Sequence, residues 1–122
     1  MDREAAQDFR ELLVWQRAHQ FVLAVYNYSD YFPPKEVYGL TPQFRRAAAA
    51  VPVRVIQSLR GEDETERAKL LDAARGSLEE CRYYLILAKD LGYGDHPELL
   101  PQLEELSELL GKYAAAILAS DS

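Results

Sequence analysis

Apolar residues recur along this chain at alternating spacings of four and three, the signature of a buried stripe on one face of an α-helix. Val14, Ala18, Phe21, Val25, Tyr28 and Phe32 form the first such row. Leu40, Phe44, Ala47, Val51 and Val55 form a shorter second, and Leu71, Ala74, Leu78, Cys81, Leu85 and Ala88 a third. The fourth comprises Leu99, Leu103, Leu106, Leu110, Tyr113 and Ile117. No stretch alternates with the period of two that marks a strand.

Punctuation between the rows sets the boundaries. Asp8 with Glu11, Asp63 with Glu66, and Asp95 with Glu98 each read D-x-x-E, in which the short side chain accepts from free amides and the glutamate suits the positive helix end. Thr41-Pro42 supplies a cap followed by the one proline position that helices favour. Pro33-Pro34, Gly61, and Gly92 with Gly94 are the stops. Four helices are predicted over about 8–31, 41–60, 64–91 and 96–119. Short connections between the second, third and fourth make neighbours antiparallel, so the fold predicted is an all-α, up-down-up-down four-helix bundle. Pro52 interrupts the second helix, where it removes the bond to the Ala48 carbonyl and predicts a kink. That kink either lets the helix wrap its own bundle or shapes a surface for a partner.

Length changes this picture little: 122 residues make one domain, 1–122, long enough to bury about two thirds of its unfolded surface. The opening Met1-Asp2-Arg3-Glu4 has no apolar signal core. The longest apolar run, Tyr113 to Ala119, falls far short of the roughly 18 residues of a membrane span. The expectation is a cytoplasmic protein without membrane contact. A lone cysteine, Cys81, excludes an internal disulfide and suits a reducing compartment.

Charge adds more, because the net −6 is unevenly placed. From Thr41 to Arg60 there are four arginines, Arg45, Arg46, Arg54 and Arg60, and no acid, whereas Asp95 to Asp121 holds six acids against Lys112 alone. On a straight helix Arg46 and Arg60 fall about 40° apart with Gln57 between them. These four arginines are the candidate nucleic-acid or partner-binding residues. A basic stripe holds phosphates through counterion release; it equally suits an acidic neighbour in the same chain, in Glu62 to Glu66 or the fourth helix, or in a second subunit. The acidic pI near 4.9 opposes long-range steering of nucleic acid.

Catalytic chemistry is not visible. A di-metal bundle site needs Glu-x-x-His pairs, but the residues three before His19 and His96 are Gln16 and Tyr93. Two histidines and one cysteine do not complete a zinc site, so no metal or cofactor is expected. Cys81, on the third seam, reads as a core residue. The GSLEE segment from Gly76 reads as a close helix crossing at Gly76 and Ser77 rather than a phosphate loop. Tyr26, Tyr28, Tyr31 and Tyr38 crowd the end of the first helix and the loop beyond it, where some cover the core edge and some suit subunit contacts.

Several of these positions coincide with a known pattern. Phe9, Leu12, Val14, Trp15, Gln16 and Ala18 are followed by Phe32, Pro33, Tyr38, Gly39, Leu40, Gln43, Arg45, Arg46 and Ala47. Val51, Pro52 and Arg60 come next, then Gly76 to Glu79 and Asp90 to Tyr93. In order and spacing they resemble the 23S rRNA intervening-sequence protein family of four-helix bundles. The family usually continues past the proline as Asn-Ile-Ala-Glu-Gly; this chain has Arg54, Val55, Ile56, Gln57 and Ser58, so any role of that glutamate cannot be carried here as a charge. The resemblance implies a non-enzymatic homo-oligomer, commonly a ring-forming pentamer, acting as a scaffold or nucleic-acid-associated accessory protein. A similar bundle serves the reverse transcriptase of diversity-generating retroelements, so RNA, DNA and a reverse transcriptase are the partners it implies. The alternative is a structural protein-interaction module that touches no nucleic acid.

Overall fold

Hydrophobic seams alone account for most of the architecture. The computed structural model describes residues 8–120, with side chains to 119. Four α-helices carry the fold: α1 (Leu13–Ser29), α2 (Leu40–Ser58), α3 (Glu64–Asp90) and α4 (Leu99–Ser120). Every residue of the first two rows is buried. Of the third and fourth rows, only Leu85, Tyr113 and Ile117 are half-buried, packed against the same core. Each large side chain so buried contributes about 1.5–3 kcal/mol before chain entropy is subtracted.

Helices adjacent in sequence pack against one another, and α4 closes back on α1. Across α3 and α4, Arg82 pairs with Glu104 while Arg75 lies beside Gly111. Across α1 and α4, Arg17 meets Glu105 while Tyr28 reaches Gly94 at the far end. Rising numbers on one helix meet falling numbers on the next, which is the pairing of antiparallel neighbours. Helix α2 is continuous through Pro52, whose ring lies in the core.

Boundaries differ from the sequence pattern where a tertiary contact intervenes. Asp8 does not cap the long helix: its carboxylate accepts from the Arg10 amide of a single 3₁₀ turn, Phe9–Glu11, after which Leu12 is extended. Phe9 is thereby laid edge-on against Trp15, ring centroids 5.1 Å apart, and Gln16 donates to the Arg10 carbonyl to hold the fold-back. Thr41 is not the cap of α2 either. Leu40 begins the helix, and its amide donates to Glu36 Oε1 at 2.8 Å. The third cap is as expected, with Asp63 accepting from the Glu66 amide at 2.8 Å. The fourth helix begins at Leu99 rather than 96, after a loop in which Gly92 and Gly94 take positive φ of 80° and 108°.

Gly76 makes no close crossing: it is exposed, and a Cβ there would meet nothing within 4 Å. On the α3–α4 seam a Cβ at Gly111 would lie 3.4 Å from the Arg75 guanidinium, an ordinary contact with the end of a flexible side chain. Within the described residues no helix is long and apolar enough to cross a membrane. The reading of Met1 to Glu4 and the acid at Asp121 lie outside the described residues.

Candidate functional site

The four arginines from Arg45 to Arg60 are presented in two different ways, and the last of them is not on the helix: α2 ends at Ser58, so Arg60 lies in the turn beyond it rather than within the expected 41–60. Arg45 is half-buried and turned onto the C-terminal end of α1. Its Nε donates to Ser29 Oγ at 2.7 Å, and its Nη2 donates to Asp30 Oδ1 at 2.8 Å and to the Tyr26 carbonyl at 3.3 Å. The guanidinium also lies over the Tyr26 ring, 4.4 Å from its centroid. Helix ends leave carbonyls without intrahelical partners, and a cation there satisfies them while complementing the helix dipole. Arg45 therefore locks α1 to α2.

Its neighbour Arg46, and Arg60 in the turn after α2, are exposed. Arg54 donates only to the neutral Gln57 Oε1, at 3.1 Å. Among the described residues no carboxylate forms an ion pair with any of these three. Of the nearby acids, Glu66 accepts from the Glu62 amide, Asp63 caps α3 and Glu64 pairs with Arg67, while the Glu62 side chain is exposed. On α4, Glu104 pairs with Arg82 and Glu105 with Arg17. The candidate set thus splits, with Arg45 structural and Arg46, Arg54 and Arg60 on offer to solvent.

Gln57, at the departure from the family pattern, is exposed and engaged with Arg54. Ser58 is buried and satisfies its hydroxyl by donating to the Val55 carbonyl at 2.6 Å.

A groove of about 340 Å³ runs beside Arg45 and Arg46, lined by Tyr26, Val37, Thr41, Pro42 and Ala49. The sequence marks its tyrosines and arginines separately; their meeting depends on how the α1–α2 loop folds back. That loop is held by Glu36, whose second carboxylate oxygen accepts from Tyr93 Oη at 2.6 Å. Hydrogen bonds from Tyr93 and the Leu40 amide hold the Glu36 carboxyl below its usual range. Neither Glu36 nor the α1–α2 groove follows from the helical periodicity.

A second cavity, about 420 Å³, lies between the C-terminal half of α3 and the α3–α4 loop, with Leu85, Ile86, Leu100 and His96 in its walls. His96 Nδ1 is within 3.3 Å of Glu98 Oε1 but misaligned for a hydrogen bond, so that buried nitrogen has no partner. Cys81 lies in the core, where burial pushes its thiol up to about 12 and leaves it unreactive. Among the described residues no cluster of three His, Cys, Asp or Glu side chains could hold a metal ion.

The sequence profile of the 23S rRNA-intervening sequence protein family matches residues 10–112, a span containing the four arginines, the groove and both long loops. A comparison with curated proteins finds no significant match.

Proposed function

This chain belongs to the 23S rRNA-intervening sequence protein family, and from that premise we propose that it acts in the cytoplasm as a non-enzymatic, homo-oligomeric scaffold that associates with nucleic acid. The observation that carries the proposal is the set of unneutralised cations on α2 and the turn that follows it. Arg46 and Arg60 are exposed without a carboxylate partner among the described residues and Arg54 meets only an amide, in a segment, Thr41 to Arg60, with no acid of its own. Retained positive charge on one face concentrates phosphate locally even where the whole chain is acidic, at a cost in long-range attraction.

A second reading, a protein-interaction module that touches no nucleic acid, is favoured by exposed apolar surface. Tyr38 is 93% and Tyr31 82% exposed, with Val37 beside them at 58%. Exposed aromatics of this kind mark contact surfaces more often than free ones.

Salt titration of binding to single-stranded RNA and to duplex DNA, with light scattering, separates the two. On the nucleic-acid reading, the double variant Arg46→Gln/Arg60→Gln lowers the log–log salt slope by roughly one to two units and leaves the particle mass unchanged. Absence of binding at about 50 mM salt, with the double variant falling into smaller species, would establish the interaction module instead. A wild type that remains monomeric at micromolar concentration would remove the scaffold from both.

A further inference from the structure

The groove beside Arg45 has a construction that basic charge alone does not explain. It is lined by a cation–π pair, the Arg45 guanidinium over the Tyr26 ring at 4.4 Å, with the arginine held by hydrogen bonds to Ser29 Oγ and Asp30. Both members line the groove, and Tyr26 is 43% exposed. Arg46, exposed and without a carboxylate partner, stands at the edge. The remaining lining, Val37, Thr41, Pro42 and Ala49, holds no acid. Of the two acids nearest in sequence, Glu36 is engaged by Tyr93 and the Leu40 amide, and Asp30 is paired with the Arg45 guanidinium itself, which leaves Arg46 as the cation of the groove without a carboxylate partner.

A hydrogen-bonded guanidinium and aromatic pair beside an exposed cation suits a flat, π-faced group that carries a phosphate. In a duplex the faces of the bases are covered by their neighbours, whereas single strands can turn a base out onto such a pair. We infer that this groove takes an unstacked nucleobase of a single-stranded nucleic acid, with Arg46 on the adjoining phosphate. The inference rests on the nucleic-acid reading above and narrows it: the arginine stripe contributes charge, and the groove confers preference for single strands.

The test uses the full chain and fluorescence anisotropy with a labelled oligouridine, an oligothymidine and a duplex of equal length. Both single strands are expected to bind more tightly than the duplex. Tyr26→Leu, which removes the ring, and Ala49→Phe, which fills the groove from the opposite wall, should each weaken single-strand binding by about tenfold. Duplex binding should be unchanged, as should helicity. Tyr26→Phe should retain the preference, because the π face stays. Equal affinity for duplex and single strand, or groove variants that bind single strands as the wild type does, would overturn the groove assignment and leave the stripe reading standing. Loss of oligomer mass in Ala49→Phe would overturn it in favour of a contact between copies of this chain. If neither nucleic acid binds at all, this inference and the reading beneath it fall together.

Discussion

Arg82 on α3 is held by four hydrogen bonds, two to Glu79 on its own helix and two to Glu104 across the seam, at 2.7–3.4 Å. Arg46 on α2 and Arg60 just beyond it meet no carboxylate among the described residues. Both regions are amphipathic helices with an outward arginine, yet the α3–α4 seam closes its charge internally and α2 leaves its charge open. The difference lies in the acids. Glu79 sits one turn before Arg82, and α4 places Glu104 opposite, whereas α2 contains no acid and the acids following it cap and pair with α3. Arg45 lies between the two cases: it belongs to the open helix by sequence and to the closed, structural class by geometry.

The largest expected effect comes from forcing Arg45 into the open class. Arg45→Met removes bonds to Ser29, to the Tyr26 carbonyl and to Asp30, together with the stack on Tyr26. Hydrogen bonds to charged groups are worth about 1.5–3 kcal/mol when partly buried, so a loss of about 2 kcal/mol in urea denaturation is expected. A cost indistinguishable from that of Arg46→Met would erase the distinction between the two residues.

Breaking the closed seam should matter less. Exposed ion pairs contribute little, so Arg82→Met should cost at most about 1 kcal/mol near neutral pH. Its pH dependence is the sharper measurement. Hydrogen bonds from Arg82 hold the Glu104 carboxyl below its usual range, and the contribution of such a group is present above the unfolded carboxylate pKa. It is lost as pH falls through the depressed folded value. Wild type and Arg82→Met should therefore differ at neutral pH and converge in acid. A difference that grows on acidification would mean that the pair does not stabilise through Glu104.

The smallest effect is expected at Arg46. With no internal carboxylate partner to lose, Arg46→Met should stay within about 0.5 kcal/mol of wild type, as exposed substitutions generally do. A larger penalty, seen by thermal or chemical denaturation, would show that this cation is used within the fold or between subunits.

Little of this contrast was legible in the sequence, although most of the fold was. The four-three spacing from Val14 to Phe32 and from Leu71 to Ala88 identifies the buried faces because helix geometry is local: every fourth residue faces the core whatever the neighbour is. Asp63 was readable as a cap for the same reason, since its contact to Glu66 spans three residues. Glu36 was not, because it caps α2 from a separate 3₁₀ turn and is itself held by Tyr93, brought over from the α3–α4 loop. Thr41-Pro42 offered a plausible local cap, and the tertiary contact displaced it.

The sequence by itself determined the helical class, the seams, the family and the acid-free character of α2, all properties of residue type and short-range spacing. Tertiary structure decided which of its arginines remain available. Arg45 and Arg46 are adjacent and chemically identical, and they diverge because successive helical residues point about 100° apart. One meets the end of α1 with the Tyr26 carbonyl, Ser29 and Asp30, and the other meets solvent. That outcome depends on where the chain returns after Pro33-Pro34, and no pattern within α2 records it.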